Sequence, residues 1–175
     1  MSAVVIDTNV LLVANQQHQD ISEECVLACT QKLLWAQQQG IVVIDDAYRI
    51  ISEYSNKPDI NGTRVGDAFL KWLLQNQSNT ARVHQVSITE TLVDHFAEFP
   101  DQTLQPQFDA PDRKFPAVAN AHVDKPSVLQ AADCKWMNWW SALHAAGISV
   151  DFVCPADICS FYGNKFPGKP VPALS

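Results

Sequence analysis

The stretch "VVIDTNVLL", residues 4–12, sets Asp7 and Asn9 two positions apart in an otherwise apolar run. Val4, Val5 and Ile6, followed by Val10, Leu11 and Leu12, read as one central strand buried on both faces, the pattern of a parallel sheet. An unpaired carboxylate inside such a strand costs on the order of several kcal/mol, comparable with the net stability of a whole domain. Asp7 therefore belongs either at the mouth of the strand or against a cation.

Working outward, residues 20–40, "DISEECVLACTQKLLWAQQQG", predict a helix. Asp20 with Glu23 fits a capping box, Val26, Cys29, Leu33 and Ala36 share a face, and Gly40 closes it. "IVVIDD", residues 41–46, is a second buried strand, and a short helix follows at once, with Asp45 and Asp46 placed to cap it. Residues 57–64 are turn-rich and exposed, 65–77 form a helix with Phe69, Trp72 and Leu73 inward, 81–89 a strand, and 89–99 another short helix. Three prolines mark residues 99–111 as a loop long enough to have a function. Beyond it come the helix "DRKFPAVANAH", the strand "PSVLQAAD", the helix "CKWMNWWSALHAAG" ended by Gly147, and the strand "ISVDFVCP". This alternation predicts an α/β fold, a three-layer α/β/α sandwich with a central, mainly parallel sheet. At 175 residues it is expected as one domain over residues 1–160, with a flexible Pro- and Gly-rich tail over 161–175.

The hydrophobic fraction of 47% is that of a globular protein, and no apolar run approaches the roughly 18 residues of a membrane helix. The start "MSAVVIDTN" has no basic n-region, so no secretory signal is expected. Cys25, Cys29, Cys134, Cys154 and Cys159 form no C-x-x-C pair, and the expectation is neither disulfide nor structural zinc, in keeping with a soluble cytoplasmic protein. The net charge of −7 argues against passive, salt-driven binding of nucleic acid, yet a cluster of carboxylates awaiting a cation contributes to such a charge.

In an open parallel sheet, ligands bind beyond the carboxyl ends of the strands. Asp7 ends the first strand, Asp133 closes "SVLQAAD", Glu53 lies on the helix after "IVVIDD", and Asp112 opens the helix after the long loop. Hard oxygen ligands converging there suit Mg²⁺ or Mn²⁺, which would offset their mutual repulsion. Asp112 also fits a helix N-cap, and Pro116, which crowds the carbonyl four residues earlier, shifts or bends that helix start, leaving Asp109 as the alternative ligand. Asn9 reads as a supporting amide and Thr8 as a loop hydroxyl that helps. Arg113, Lys114 and Lys135 form a small basic rim for a substrate backbone. The stripe Trp136, Trp139, Trp140 and Leu143 has the spacing of a core or partner face, and His84, His95, His122 and His144 have no ligand spacing.

On "VVIDTN", the lone Glu53, "DRKFPAVANA", "VLQAADCKW" and "GISVDFVCP", residues 3–158 resemble the PIN-domain family of metal-dependent nucleases, VapC-like members included. The resemblance implies an Mg²⁺- or Mn²⁺-dependent endoribonuclease that hydrolyses RNA in line, leaving 5′-phosphate and 3′-hydroxyl ends. The family's acids fall on Asp7, Glu53, Asp112 and Asp133, serving as catalytic and metal-holding residues, with one or two ions. Many members are toxins of toxin–antitoxin pairs; a toxin would be a homodimer whose antitoxin sends a C-terminal segment into the acidic groove. Two other readings start from the same residues. One is an aspartyl-nucleophile phosphatase, in which Asn9 occupies the place of the usual second Asp; the other is a non-catalytic RNA- or protein-binding module.

Overall fold

The strand opened by Val4, Val5 and Ile6 stops at Asp7. In the computed structural model, which describes residues 1–57 and 59–174, β1 is Ala3–Ile6 and the next element, α1 (Thr8–Ala14), is a helix. Pro58, in the turn-rich segment, and Ser175, at the end of the expected tail, lie outside the described residues. The expected single strand over 4–12 is thereby corrected. Asp7 keeps extended backbone and its Oδ1 accepts from the Asn9 amide at 2.8 Å, which is an N-cap. Val10, Leu11, Val13 and Ala14 are buried because α1 is itself covered by other helices, and a short apolar run buried all round looks alike in helix and strand.

The chain continues through α2 (Glu23–Gln38), β2 (Ile41–Asp45), α3 (Arg49–Asn56), α4 (Val65–Asn76) and β3 (Val83–Val86). Ser22, not Asp20, caps α2, accepting from the Cys25 amide at 3.1 Å, while Asp20 sits in the left-handed region at φ 59°. Asp45 caps α3 as expected, taking the amides of Arg49 and Ile50, both at 2.9 Å. The backbone of α4 meets α1 so closely at Gly66 that a Cβ there would lie 2.5 Å from the Leu11 carbonyl oxygen. Asn15 bridges this contact, accepting from Gly66 N at 2.6 Å and donating to Asp67 at 2.8 Å.

Residues 89–99 hold a hairpin rather than the expected helix: β4 (Glu90–Leu92) pairs antiparallel with β5 (His95–Phe96). Asp94 turns the chain at φ 56°, and Glu90 accepts its amide at 2.8 Å, a local bond that competes with helix. The loop over 99–111 carries two short 3₁₀ turns, Gln105–Gln107 and Ala110–Asp112. Then follow α5 (Lys114–Ala121), β6 (Ser127–Gln130), a 3₁₀ segment Cys134–Asn138, α6 (Trp140–Ala145), β7 (Val150–Phe152) and α7 (Pro155–Lys165). The helix expected over 134–147 is thus broken at Trp139, and Gly147, at φ 90°, ends it as expected. The first residues of the expected flexible tail belong to α7, whose Ile158 and Tyr162 are buried. Tyr162 donates its hydroxyl to Asn138 at 2.7 Å, and Trp140 donates to the Ala173 carbonyl at 3.0 Å, so the remaining tail is seated as well.

Five parallel strands form the central sheet in the order β3-β2-β1-β6-β7. Helices α1, α2 and α4 contact one another, and α5 packs on β1, β2 and β6, giving the α/β/α sandwich expected. Successive strands run outward from β1 in one direction to β3, and the chain then crosses to β6 on the other side. The order therefore reverses between β1 and β6, the place where open α/β sheets leave a crevice. Among the described residues no helix is long and apolar enough to cross a membrane.

One expectation from the cysteines is overturned. Cys25 on α2 and Cys154 at the start of α7 are joined in a disulfide across 129 residues of sequence, a pairing no local spacing reveals. Burial, with Asp157 nearby, pushes the Cys29 thiol up to about 12, and its Sγ lies 3.8 Å from that of Cys154. Closing so long a loop is worth roughly 5 kcal/mol on chain-entropy grounds. Reduction should therefore lower the melting temperature by ~10 °C, and Cys154→Ser should melt low with or without reductant.

Candidate metal centre

Asp7 and Asp133 stand at the carboxyl ends of the two strands that flank the topological reversal. Each is shaped by its own short turn. Asp7 uses Oδ1 to cap α1, and its Oδ2 is buried with no hydrogen-bond partner among the described residues, in a residue only 4% exposed. Asp133 accepts from the Lys135 amide at 3.1 Å, and its own amide donates to the buried Gln130 side chain at 3.1 Å. Asn9 ties the two turns together, since its Oδ1 accepts from Ala132 N at 2.7 Å.

Asp112 lies on the 3₁₀ turn before α5 and is not its N-cap; Arg113 is, so the helix starts later, as Pro116 suggested. Asp112 therefore keeps both carboxylate oxygens clear of hydrogen bonds among the described residues. Burial, then Asp133 and Glu53, push its carboxyl up to about 7, with Lys114 opposing them. Asp7 is held well above the usual carboxylate range by burial first and Asp112 next, and Glu53 and Asp133 add to it. The charges of the four expected acids thus act on one another, while Asp7 and Glu53 do not belong to the tight group of carboxylates. Asp109, the alternative ligand, does belong to it: Asp109, Asp112 and Asp133 each offer an oxygen within 4.8 Å of the others.

Glu53 is the most occupied of the set. Thr8 donates to its Oε1 at 2.7 Å, Lys114 pairs with its Oε2, and Lys57 stands 3.8 Å away. The expected basic rim is corrected accordingly. Lys114 is buried against Glu53, and Lys135 is paired with Asp109. Arg113, also buried, donates to the carbonyls of Phe108, Asp94 and Pro106 and so pins the loop over 94–108 instead of facing a substrate. The tryptophan stripe is largely core: Trp136 and Trp139 pack on Phe108, with ring centroids 4.9 Å and 4.2 Å apart.

Two supporting residues escaped the sequence reading. Tyr54, buried on α3, donates its hydroxyl to the Ile6 carbonyl and fixes the end of β1 next to Asp7. Gln130, fully buried at the end of β6, orients Asp133; a polar residue closing an otherwise apolar strand was the available signal.

The donor set fits a hard divalent cation. Its acidic ligands offer oxygen, although Lys114 and Lys135 already occupy Glu53 and Asp109, and a buried carboxylate oxygen with no partner among the described residues is the kind of atom a cation satisfies. Compared with protein family models, with characterised proteins and with solved structures, the chain matches none.

Proposed function

We propose that the protein is an Mg²⁺- or Mn²⁺-dependent endoribonuclease of the PIN-like kind, hydrolysing RNA phosphodiester bonds. The observation that carries this reading is Asp7 Oδ2, buried and without a partner among the described residues at the reversal of the sheet, where the charges of Asp112, Glu53 and Asp133 act on it. A structural aspartate has a partner at such a depth; one kept without a partner is suited to a ligand.

Asp7, Asp112 and Asp133 would hold the ion, with Asp109 and Glu53 at its margin. Once bound, the ion supplies Lewis acidity for water activation and for charge on the leaving oxygen. Asn9, Thr8, Gln130 and Tyr54 keep the acids in place through the bonds described above. Lys114 and Lys135, each against one acid of the cluster, reduce its charge where an anionic phosphodiester must approach.

A labelled single-stranded RNA incubated with the native protein in Mn²⁺ should be cut internally, leaving 5′-phosphate and 3′-hydroxyl ends, with no cutting in EDTA. Intact RNA in Mn²⁺ and in Mg²⁺, or equal cutting with EDTA, would remove the reading.

A further inference from the structure

Beside the acidic cluster an open cleft of about 720 Å³ runs from Asn9 and Asp133 to α7. It has the volume of a small-molecule site and shares two of its walls with the candidate metal centre. Its far wall is formed by His18, from the loop after α1, and by Ser160, Phe161, Asn164 and Lys165 of α7. We propose that this cleft binds one unpaired nucleotide of a single-stranded RNA, with the base against Phe161 and the adjoining phosphate at Lys165. The inference rests on the ribonuclease reading and names where its substrate lies.

Three observations carry it. The rings of His18 and Phe161 lie 5.4 Å apart at 33°, and both residues are half-buried, so an aromatic surface faces the cleft. Single-strand readers stack bases on such surfaces, which a duplex cannot offer them. Ser160 and Asn164 are exposed, and their side chains make no hydrogen bond among the described residues, leaving donors and acceptors for a base edge. Lys165 is exposed and has no ion pair among the described residues.

The opposite flank of the cluster gives the contrast. A cleft of about 430 Å³ there is lined by Arg49, Lys57 and Lys114, but Arg49 pairs with Glu90 at 3.0 Å, and both lysines face Glu53. Its cations are engaged within the protein. On the α7 side Lys165 has no ion pair among the described residues and Phe161 is half-exposed, with Asp20 and Asp133 also lining that cleft.

The test uses a fluorescent, phosphorothioate-linked RNA octamer that resists hydrolysis, read by anisotropy in Mn²⁺ with the full chain. Phe161→Ala and Lys165→Ala should each weaken binding about tenfold, Phe161→Trp should restore it, and duplex RNA should bind at least about tenfold more weakly than the single strand. Calorimetric affinity for Mn²⁺ should stay at the native value in all three variants. Lys165 is exposed, so its variant leaves the fold intact even where Phe161→Ala does not. If the native protein cuts RNA but both alanine variants bind the octamer normally, the subsite is refuted and the nuclease reading stands. Octamer binding that depends on Phe161 and Lys165, without any cutting, keeps the subsite and removes the nuclease. Absence of both binding and cutting removes both.

Discussion

Asp7→Asn should reduce Mn²⁺-dependent RNA cleavage by roughly a thousandfold or more and, in the same protein without metal, raise the melting temperature by ~4 °C. The two effects have one cause. Outer partners of metal ligands alone contribute about 10- to 100-fold, and single electrostatic groups aimed at a reacting centre about 10²- to 10³-fold, so loss of the most buried ligand should cost at least that much. The stability gain comes from the same burial: Asp7 is 4% exposed, its Oδ2 has no partner, and three further acids raise the cost of its charge. Relief on the order of 1–2 kcal/mol gives a shift of that size in a chain this long. Asparagine also keeps the oxygen that accepts the Asn9 amide at 2.8 Å, so the cap on α1 survives. Asp7→Ala loses that cap, worth about 1 kcal/mol, and should gain less. Thermal melts and a cleavage assay on the two variants decide the matter; a destabilised Asp7→Asn protein, or one that still cuts, contradicts the assignment. Such opposition of stability and activity is expected where a site stores unfavourable charge.

Why Asp7 was legible, while the element following it was not, has a physical answer. Short runs rich in β-branched residues and bounded by turn or cap signals placed β1, β2, β6 and β7, and their carboxyl ends located Asp7 and Asp133. Residues 10–13 are buried between sheet and helices, and there periodicity disappears; only the capping geometry of Asp7 separates helix from strand. The hairpin at 90–96 depends on one left-handed residue, Asp94, and the Cys25–Cys154 bond on contacts 129 residues apart, neither of which a local pattern carries. The same holds for the lysines. Lys114 and Lys135 lie next to the acids in sequence, which suggests a rim facing substrate, whereas each turns onto an acid from a distant segment. Phe161 and Lys165 went unread because Pro and Gly after residue 166 coloured the whole tail as disordered, although α7 continues to Lys165.

Without metal, the protein should melt higher at pH 5.5 than at pH 7.5, and saturating Mn²⁺ should reverse that order. The sign follows from Asp112, pushed up to about 7, and from Asp7, also raised. Between the ordinary carboxylate range near 4 and the raised values, the folded protein holds protons that the unfolded chain has released. Its stability is therefore fully present below about pH 4 and is lost as pH rises through the folded values. His122 acts in the opposite sense: burial first, then His84, lowers its pKa, so the unfolded chain takes up that proton more readily and stability falls on acidification below about 6.5. Comparing native protein with Asp112→Asn helps to separate them, because the variant loses the Asp112 contribution, keeps that of His122, and leaves Asp7 raised by burial, Glu53 and Asp133 alone. Mn²⁺ requires the ionised carboxylates and so competes with protons. At about 100 times its dissociation constant it should add about 2.7 kcal/mol, or ~8 °C, at pH 7.5, and much less at pH 5.5. Equal Mn²⁺ shifts at both pH values, in native protein and in Asp112→Asn alike, would show that the ion binds somewhere other than this cluster.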